Sequence, residues 1–231
     1  MRRFFGSLDE LNRKIIDCRL CPRLTRYREY VARVKVKRYR DWSYWGRPLP
    51  GYGDPDARLL VIGLAPAAHG GNRTGRMFTG DSSGDWLVKA LYENGFANQG
   101  YSISRDDGLM LHDCYVTAVV RCAPPGNRPN RDELNNCNFY LINEFMLLKN
   151  VRVVVTLGRV SLEWSLRALS KLYNTRLRLE FRHGALYRLP VGGLKLITSY
   201  HPSRQNTQTG RLKWGEWLNI FKMARLEIGA C

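Results

Sequence analysis

Arg58-Leu-Leu-Val-Ile-Gly-Leu64 runs without a break into Ala65-Pro-Ala-Ala-His-Gly-Gly-Asn-Arg-Thr-Gly-Arg-Met-Phe-Thr-Gly-Asp-Ser-Ser-Gly84. The first stretch is apolar, of strand length and without clean alternation, as a strand covered on both faces is. The second is a turn of small residues. Three further runs of the first kind follow at 114–120, 151–157 and 194–200. Helical patterns separate them at 86–93, 131–149, 160–173 and 212–226, the first closed by Asn94-Gly95. Strands alternating with helices predict an α/β fold with a parallel sheet. With 231 residues and 44% hydrophobic content, one domain over the whole chain is expected. Ahead of the sheet, Ser7-Leu-Asp-Glu10 is a capping box, and a helix should run from it to about Asp17. Pro22 should then end the helical region, leaving 23–57 as a loop-rich, basic and aromatic surface excursion.

Ligand sites in open α/β sheets form beyond the C-terminal ends of the strands. Three motifs fall there: the glycine-rich block, Arg121-Cys-Ala-Pro-Pro-Gly-Asn127, and His201-Pro-Ser203. The turn of small residues at 64–67 lets a ligand approach the backbone N–H groups. The block lacks the G-x4-G-K-[ST] of a phosphate loop and the G-x-G-x-x-G of a dinucleotide fold, which argues against a nucleotide cofactor. Read plainly, its glycines make a flexible loop. Against that stands the mixture of His69, Asn72, Arg73, Arg76, Phe78 and Asp81 within thirteen residues. His201, held before a proline at a strand end, shares their sheet edge.

The net charge is +17. Residues 1–58 carry 15 Lys/Arg against 7 Asp/Glu, residues 59–158 carry 9 against 9, and residues 159–231 carry 13 against 4. Two cationic flanks around a neutral centre suit a polyanion, with the centre left for chemistry. Tyr39, Trp42, Tyr44 and Trp45 lie among the N-terminal charges, where planar side chains either stack on bases or belong to the core. No run approaches the roughly 20 apolar residues of a membrane span, and the N-terminus lacks a signal-peptide pattern. A cytoplasmic, nucleoid-associated protein without a membrane partner is expected.

Cys18 and Cys21 form a C-x2-C pair; Cys122 and Cys137 follow about a hundred residues later. Four thiolates suit zinc or an iron–sulfur group, and the wide second spacing favours the cluster over a zinc ribbon. Four unrelated thiols are the plain alternative. Cys114 reads as a core thiol, and Cys231 as unimportant.

These motifs resemble the uracil-DNA glycosylase superfamily, specifically its family 5, the iron–sulfur type of thermophiles. The likeness rests on the C-x2-C start, Tyr44-Trp-Gly-Arg-Pro48, the block from Gly63 to Gly84, Arg121-Cys-Ala-Pro-Pro125 and His201-Pro-Ser203. It implies a three-layer fold with a four-stranded parallel sheet flanked by helices. A [4Fe–4S] cluster on Cys18, Cys21, Cys122 and Cys137 would staple the N-terminal helix to the body, with zinc the alternative. The implied activity is removal of uracil, and of other deaminated bases such as hypoxanthine, from single- or double-stranded DNA. By the same resemblance Phe78 stacks on the flipped base, and Gly63, Leu64, Ala65, Pro66, Ala67, His69 and Asn127 surround it. His201 donates to the base as negative charge develops, and Asp81 handles the water. Arg73, Arg76, Ser203 and Arg204 contact the DNA.

One departure matters. The sister iron–sulfur family carries an acid where Leu64 stands, and leucine cannot activate water. Asp81 is the nearest replacement, although it also stands where a helix N-cap is expected. No lysine lies in the block, so no lyase step is suggested. A DNA-binding protein without catalysis remains the alternative; a zinc-stapled nuclease is discounted for want of a carboxylate cluster. A monomer is expected, and no residue identifies a sliding-clamp contact.

Overall fold

The computed structural model describes residues 4–229. The elements in order are α1 (Leu8–Ile16), α2 (Pro22–Val34), β1 (Tyr52–Gly53), β2 (Leu59–Gly63), α3 (Gly71–Thr74), α4 (Ser82–Glu93), β3 (Cys114–Ala118), α5 (Arg131–Leu147), β4 (Val153–Leu157), α6 (Arg159–Leu172), β5 (Leu186–Arg188), β6 (Lys195–Ser199), α7 (Arg204–Gln208) and α8 (Trp214–Gly229). The sheet order is β1-β3-β2-β4-β6-β5. The four anticipated runs form its centre, paired in parallel. The sheet is nevertheless six-stranded, because β1 and β5 add antiparallel edges. At two and three residues, these edges are too short to leave an apolar pattern.

Alternate residues along the strands feed two cores, giving three layers. Leu60, Ile62, Val154 and Leu196 pack in the core that also holds Leu141 of α5 and Leu169 of α6. Leu59, Val61, Val155 and Ile197 pack with Leu87 of α4 and Trp217 of α8. With both faces covered, every residue of β2, β3 and β4 is buried. From β2 the chain leaves toward β3, and from β4 toward β6, on the opposite side. That divergence opens a crevice at the strands' C-terminal ends.

α1 begins as anticipated: the Ser7 hydroxyl accepts from the Glu10 amide at 3.2 Å, and the Glu10 carboxylate reaches back to the Gly6 amide at 2.9 Å. The second N-terminal helix was not anticipated. Pro22 does not end a helical region but occupies the first turn of α2, where its missing N–H costs nothing. Only the part of 23–57 beyond Val34 is a loop-rich excursion. Among the described residues no helix is long and apolar enough to cross a membrane. Cys114 is a buried core thiol of β3; Cys231 lies outside the described residues.

Candidate functional site

Beyond the strand ends, Ala65, Pro66, Ala67, Met77, Phe78, Asp81, Ser83, Ala118 and His201 line one small cavity of about 40 Å3. The N–H groups of Ala65 and Ala67 find no acceptor among the described residues and stand free beside it. Phe78 holds a left-handed backbone (φ 50°), an uncommon state for a bulky residue that tends to mark functional positions. Its ring lies against Gly63 at the end of β2: a Cβ there would stand 2.6 Å from Cζ of the ring. The Phe78 and His201 ring centroids are 5.9 Å apart, tilted by 30°.

Asp81 takes the N-cap position that the sequence offered and also lines the cavity. It is the N-cap of α4, with Oδ1 accepting from the Ser83 and Gly84 amides at 3.0 Å each. Oδ2 accepts no hydrogen bond among the described residues and lies against Gly70, where a Cβ would stand 1.9 Å from it. Burial pushes this carboxyl above its ordinary range, outweighing the two amide bonds. Burial lowers the His201 imidazole from 6.5 to about 4, so it is neutral at pH 7. The His201 carbonyl takes bonds from the Ser203 amide and the Asn206 side chain, both 2.8 Å, which fix its turn.

Several anticipated residues fall elsewhere. Arg73 and Arg76 are only 3% and 7% exposed and do not face solvent as DNA contacts. Arg73 donates to the His69 and Gly80 carbonyls and lies between the Tyr39 and Trp42 rings, 3.9 and 4.0 Å from their centroids. Arg76 pairs with Asp107 at 2.8 Å and donates to Thr79 and Ser102. Both hold the loop's shape. His69 bonds to the Tyr44 hydroxyl at 3.1 Å and does not line the cavity. Asn127 is exposed on a 3-10 turn and does not line it either. Leu64 packs on the core beneath, so it offers the cavity no polar group. Ser203 caps α7, and Arg204 is exposed at its start. Met77, Ser83 and Ala118 line the cavity unanticipated; Met77 and Ser83 adjoin Phe78 and Asp81, while Ala118 left no signal beyond its strand end.

Cys18 follows α1, Cys21 caps α2, Cys122 follows β3 and Cys137 lies on α5. The four sulfurs feel one another's charge: burial and the other three thiols together raise the Cys122 thiol. Two of the sulfurs have a side-chain donor: Asn136 donates to Cys21 at 3.5 Å and Arg28 to Cys122 at 3.9 Å. Arg28 is 2% exposed, and its Nε is buried without a partner. Among the described residues, no three His, Cys, Asp or Glu side chains draw close enough to surround a single metal ion. An all-thiol set with donors at Cys21 and Cys122 fits a soft, thiolate-held group.

The sequence model of the Uracil DNA glycosylase superfamily matches residues 50–222. The chain is 51% identical to a type-5 uracil-DNA glycosylase of Thermus thermophilus, over 92% of this chain and 94% of that protein. It is 44% identical to one of Pyrobaculum aerophilum (97% and 95%) and 47% identical to one of Mycobacterium leprae (97% of each). A likeness that spans almost the full length of both partners extends over every element around the cavity. The chain belongs to the uracil-DNA glycosylase superfamily.

Proposed function

We propose that this chain is a monofunctional DNA-repair glycosylase that flips uracil, and other deaminated bases such as hypoxanthine, out of DNA and hydrolyses the glycosidic bond. The observation that carries the reading is the meeting of Phe78, His201, Asp81 and two free amides at one cavity of a chain so similar to type-5 uracil-DNA glycosylases. In a duplex the glycosidic bond is hidden, so the base has to leave the stack. The cavity has room for water rather than for a base, so it must widen on entry. The base rests on the Phe78 face. A sandwiched ring would need about 7 Å, two contacts of about 3.5 Å. Phe78 and His201 are closer than that, which favours His201 meeting the base at its edge.

The bond from the sugar C1′ to the base nitrogen breaks, and both electrons leave with the base. His201, neutral, donates an N–H hydrogen bond to the base oxygen that gains charge, and the free Ala65 and Ala67 amides add to that stabilisation. Oδ2 of Asp81 orients the water that bonds to C1′ and accepts its proton. Burial, by raising this carboxyl, makes it a better base than an exposed aspartate. Ser203 and Arg204 touch the DNA backbone beside the cavity.

Cys18, Cys21, Cys122 and Cys137 hold a [4Fe–4S] cluster in this reading. Four thiolates suit an iron–sulfur group, and the Asn136 and Arg28 donors would stabilise sulfur-borne charge. The group would tie α1 and α2 to α5 and to the end of β3, and no step of base removal passes through it. The protein acts as a monomer on single- or double-stranded DNA. Release of free uracil with an intact sugar–phosphate backbone is the test.

A further inference from the structure

Beside the base cavity lies a second and larger depression that the reaction does not use. Trp42, Ser43, Tyr44, Trp45, Arg73, Thr74, Ser104, Arg105 and Asp106 enclose about 360 Å3, within the range of small-ligand sites. Its aromatic walls are half-buried and held rigidly. The Trp45 indole N–H donates to the Pro48 carbonyl at 3.2 Å, and the Tyr44 hydroxyl bonds to His69 at 3.1 Å. Trp42 covers the Arg73 guanidinium. Rigid aromatic faces lose little freedom when a planar ring stacks on them.

Charge selects the class of ligand. Lys37, Arg38, Arg40 and Arg47 are exposed on the segment that supplies the aromatic wall. Exposed Arg105 lies over the Trp45 ring at 5.0 Å. Acids partly offset these cations: Asp106 lies 3.9 Å from Arg105, Asp41 lies 3.8 Å from Arg40, and Asp17 pairs with Arg47, while Lys37 and Arg38 pair with no acid among the described residues. Arg73 keeps one buried nitrogen, Nη1, without an acceptor among the described residues.

Continuity with the base cavity selects the partner. The loop whose Phe78 and Asp81 line the cavity lines the cleft with Arg73 and Thr74. The aromatic segment is tied to that same loop, with the Trp45 amide donating to the Arg73 carbonyl at 2.9 Å and the Gly46 amide to Asn72 at 3.0 Å.

We propose that this cleft is a second nucleobase site, which takes one unstacked base of the DNA strand that carries the excised base. The base stacks on the Trp42–Trp45 wall while its phosphates run along the cations of 37–47. The assignment rests on the glycosylase reading. The cleft would hold the strand in register while the neighbouring cavity acts on the flipped nucleotide, which suits an enzyme that also works on single strands.

The test uses the full chain and an oligonucleotide with a 2′-fluorinated uracil nucleotide that resists cleavage. A photoreactive 5-iodocytosine is moved one position at a time through about four nucleotides on either side, and crosslinks are mapped by mass spectrometry. One position is expected to crosslink to Trp42, Tyr44 or Trp45. Ser43→Trp fills the cleft without removing any of these walls. It should weaken strand binding about tenfold, within the range of one base stack, and leave the single-turnover rate at saturating enzyme unchanged. Crosslinks that never reach the aromatic wall, with Ser43→Trp binding like wild type and uracil still released from ordinary substrate, would overturn the inference alone. Absence of uracil release would overturn the glycosylase reading itself, and the assignment with it.

Discussion

Gly63 and Phe78 are fitted to each other: a Cβ on Gly63 would stand 2.6 Å from Cζ and 2.8 Å from Cε2 of the Phe78 ring. The last residue of β2 is therefore glycine because the Phe78 ring occupies the space of its side chain. Gly63→Ala forces the ring aside by roughly 1 Å, and a displacement of that size costs on the order of 100-fold in rate. DNA affinity should hardly change. Single-turnover kinetics beside a binding titration checks this.

Asp81→Asn keeps an N-cap, because asparagine also caps helices, but removes the carboxylate that the proposed mechanism uses as base. The melting temperature should stay near wild type while the single-turnover rate falls about 100-fold or more. His201→Ala should fall by about 100- to 1,000-fold, the scale of losing one preorganised donor. Wild-type rates in both variants would remove the two residues from the mechanism.

The pH dependence separates these groups. In the proposed mechanism Asp81 acts ionised, and burial raises its carboxyl, so the rate should fall on the acid side above the ordinary carboxylate range. Asp81→Asn should abolish that limb. The neutral His201 imidazole persists down to about pH 4 and adds no limb above it. Stability follows the same shift. Below pH 6.5 an unfolded histidine takes up a proton that the folded one refuses until about pH 4, so stability falls as pH drops through that window. His201→Gln should flatten that part of the stability curve, as measured by chemical denaturation at several pH values.

The four thiols and Arg28 predict the metal content. Protein purified without oxygen should be brown and contain about four irons and four sulfides per chain. Arg28→Leu removes a buried cation from Cys122 and should shorten the lifetime of the iron in air, with Arg28→Lys intermediate. Zinc in place of iron would contradict the assignment of the group.

Arg76 and Arg204 should behave oppositely. Arg76→Ala leaves Asp107 unpaired and should cost about 3–5 kcal/mol of stability. Arg204→Ala should leave stability unchanged and reduce the salt dependence of DNA binding by about one phosphate contact.

The contrast between these arginines shows what the sequence could convey. The four central strands were legible because both faces of each are covered, which writes a continuous apolar run. Phe78, Asp81 and His201 were legible because they stand in or beside glycine- and proline-bearing turns just past strand ends. Arg73 and Arg76 looked like phosphate ligands because the sequence carries their charge but not their partners: Tyr39, Trp42 and Asp107 are distant along the chain. α2 was hidden by a proline that serves equally as a stop or as a first turn. Asn127 was placed at the base site by the family resemblance, yet its turn carries it to an exposed position.

The most direct measurement is a single-turnover reaction on a labelled duplex with one uracil opposite guanine, split into samples with and without alkali. The account predicts strand scission only after alkali, with free uracil released in equal amount. Scission without alkali, or tight binding with no uracil released, would contradict it.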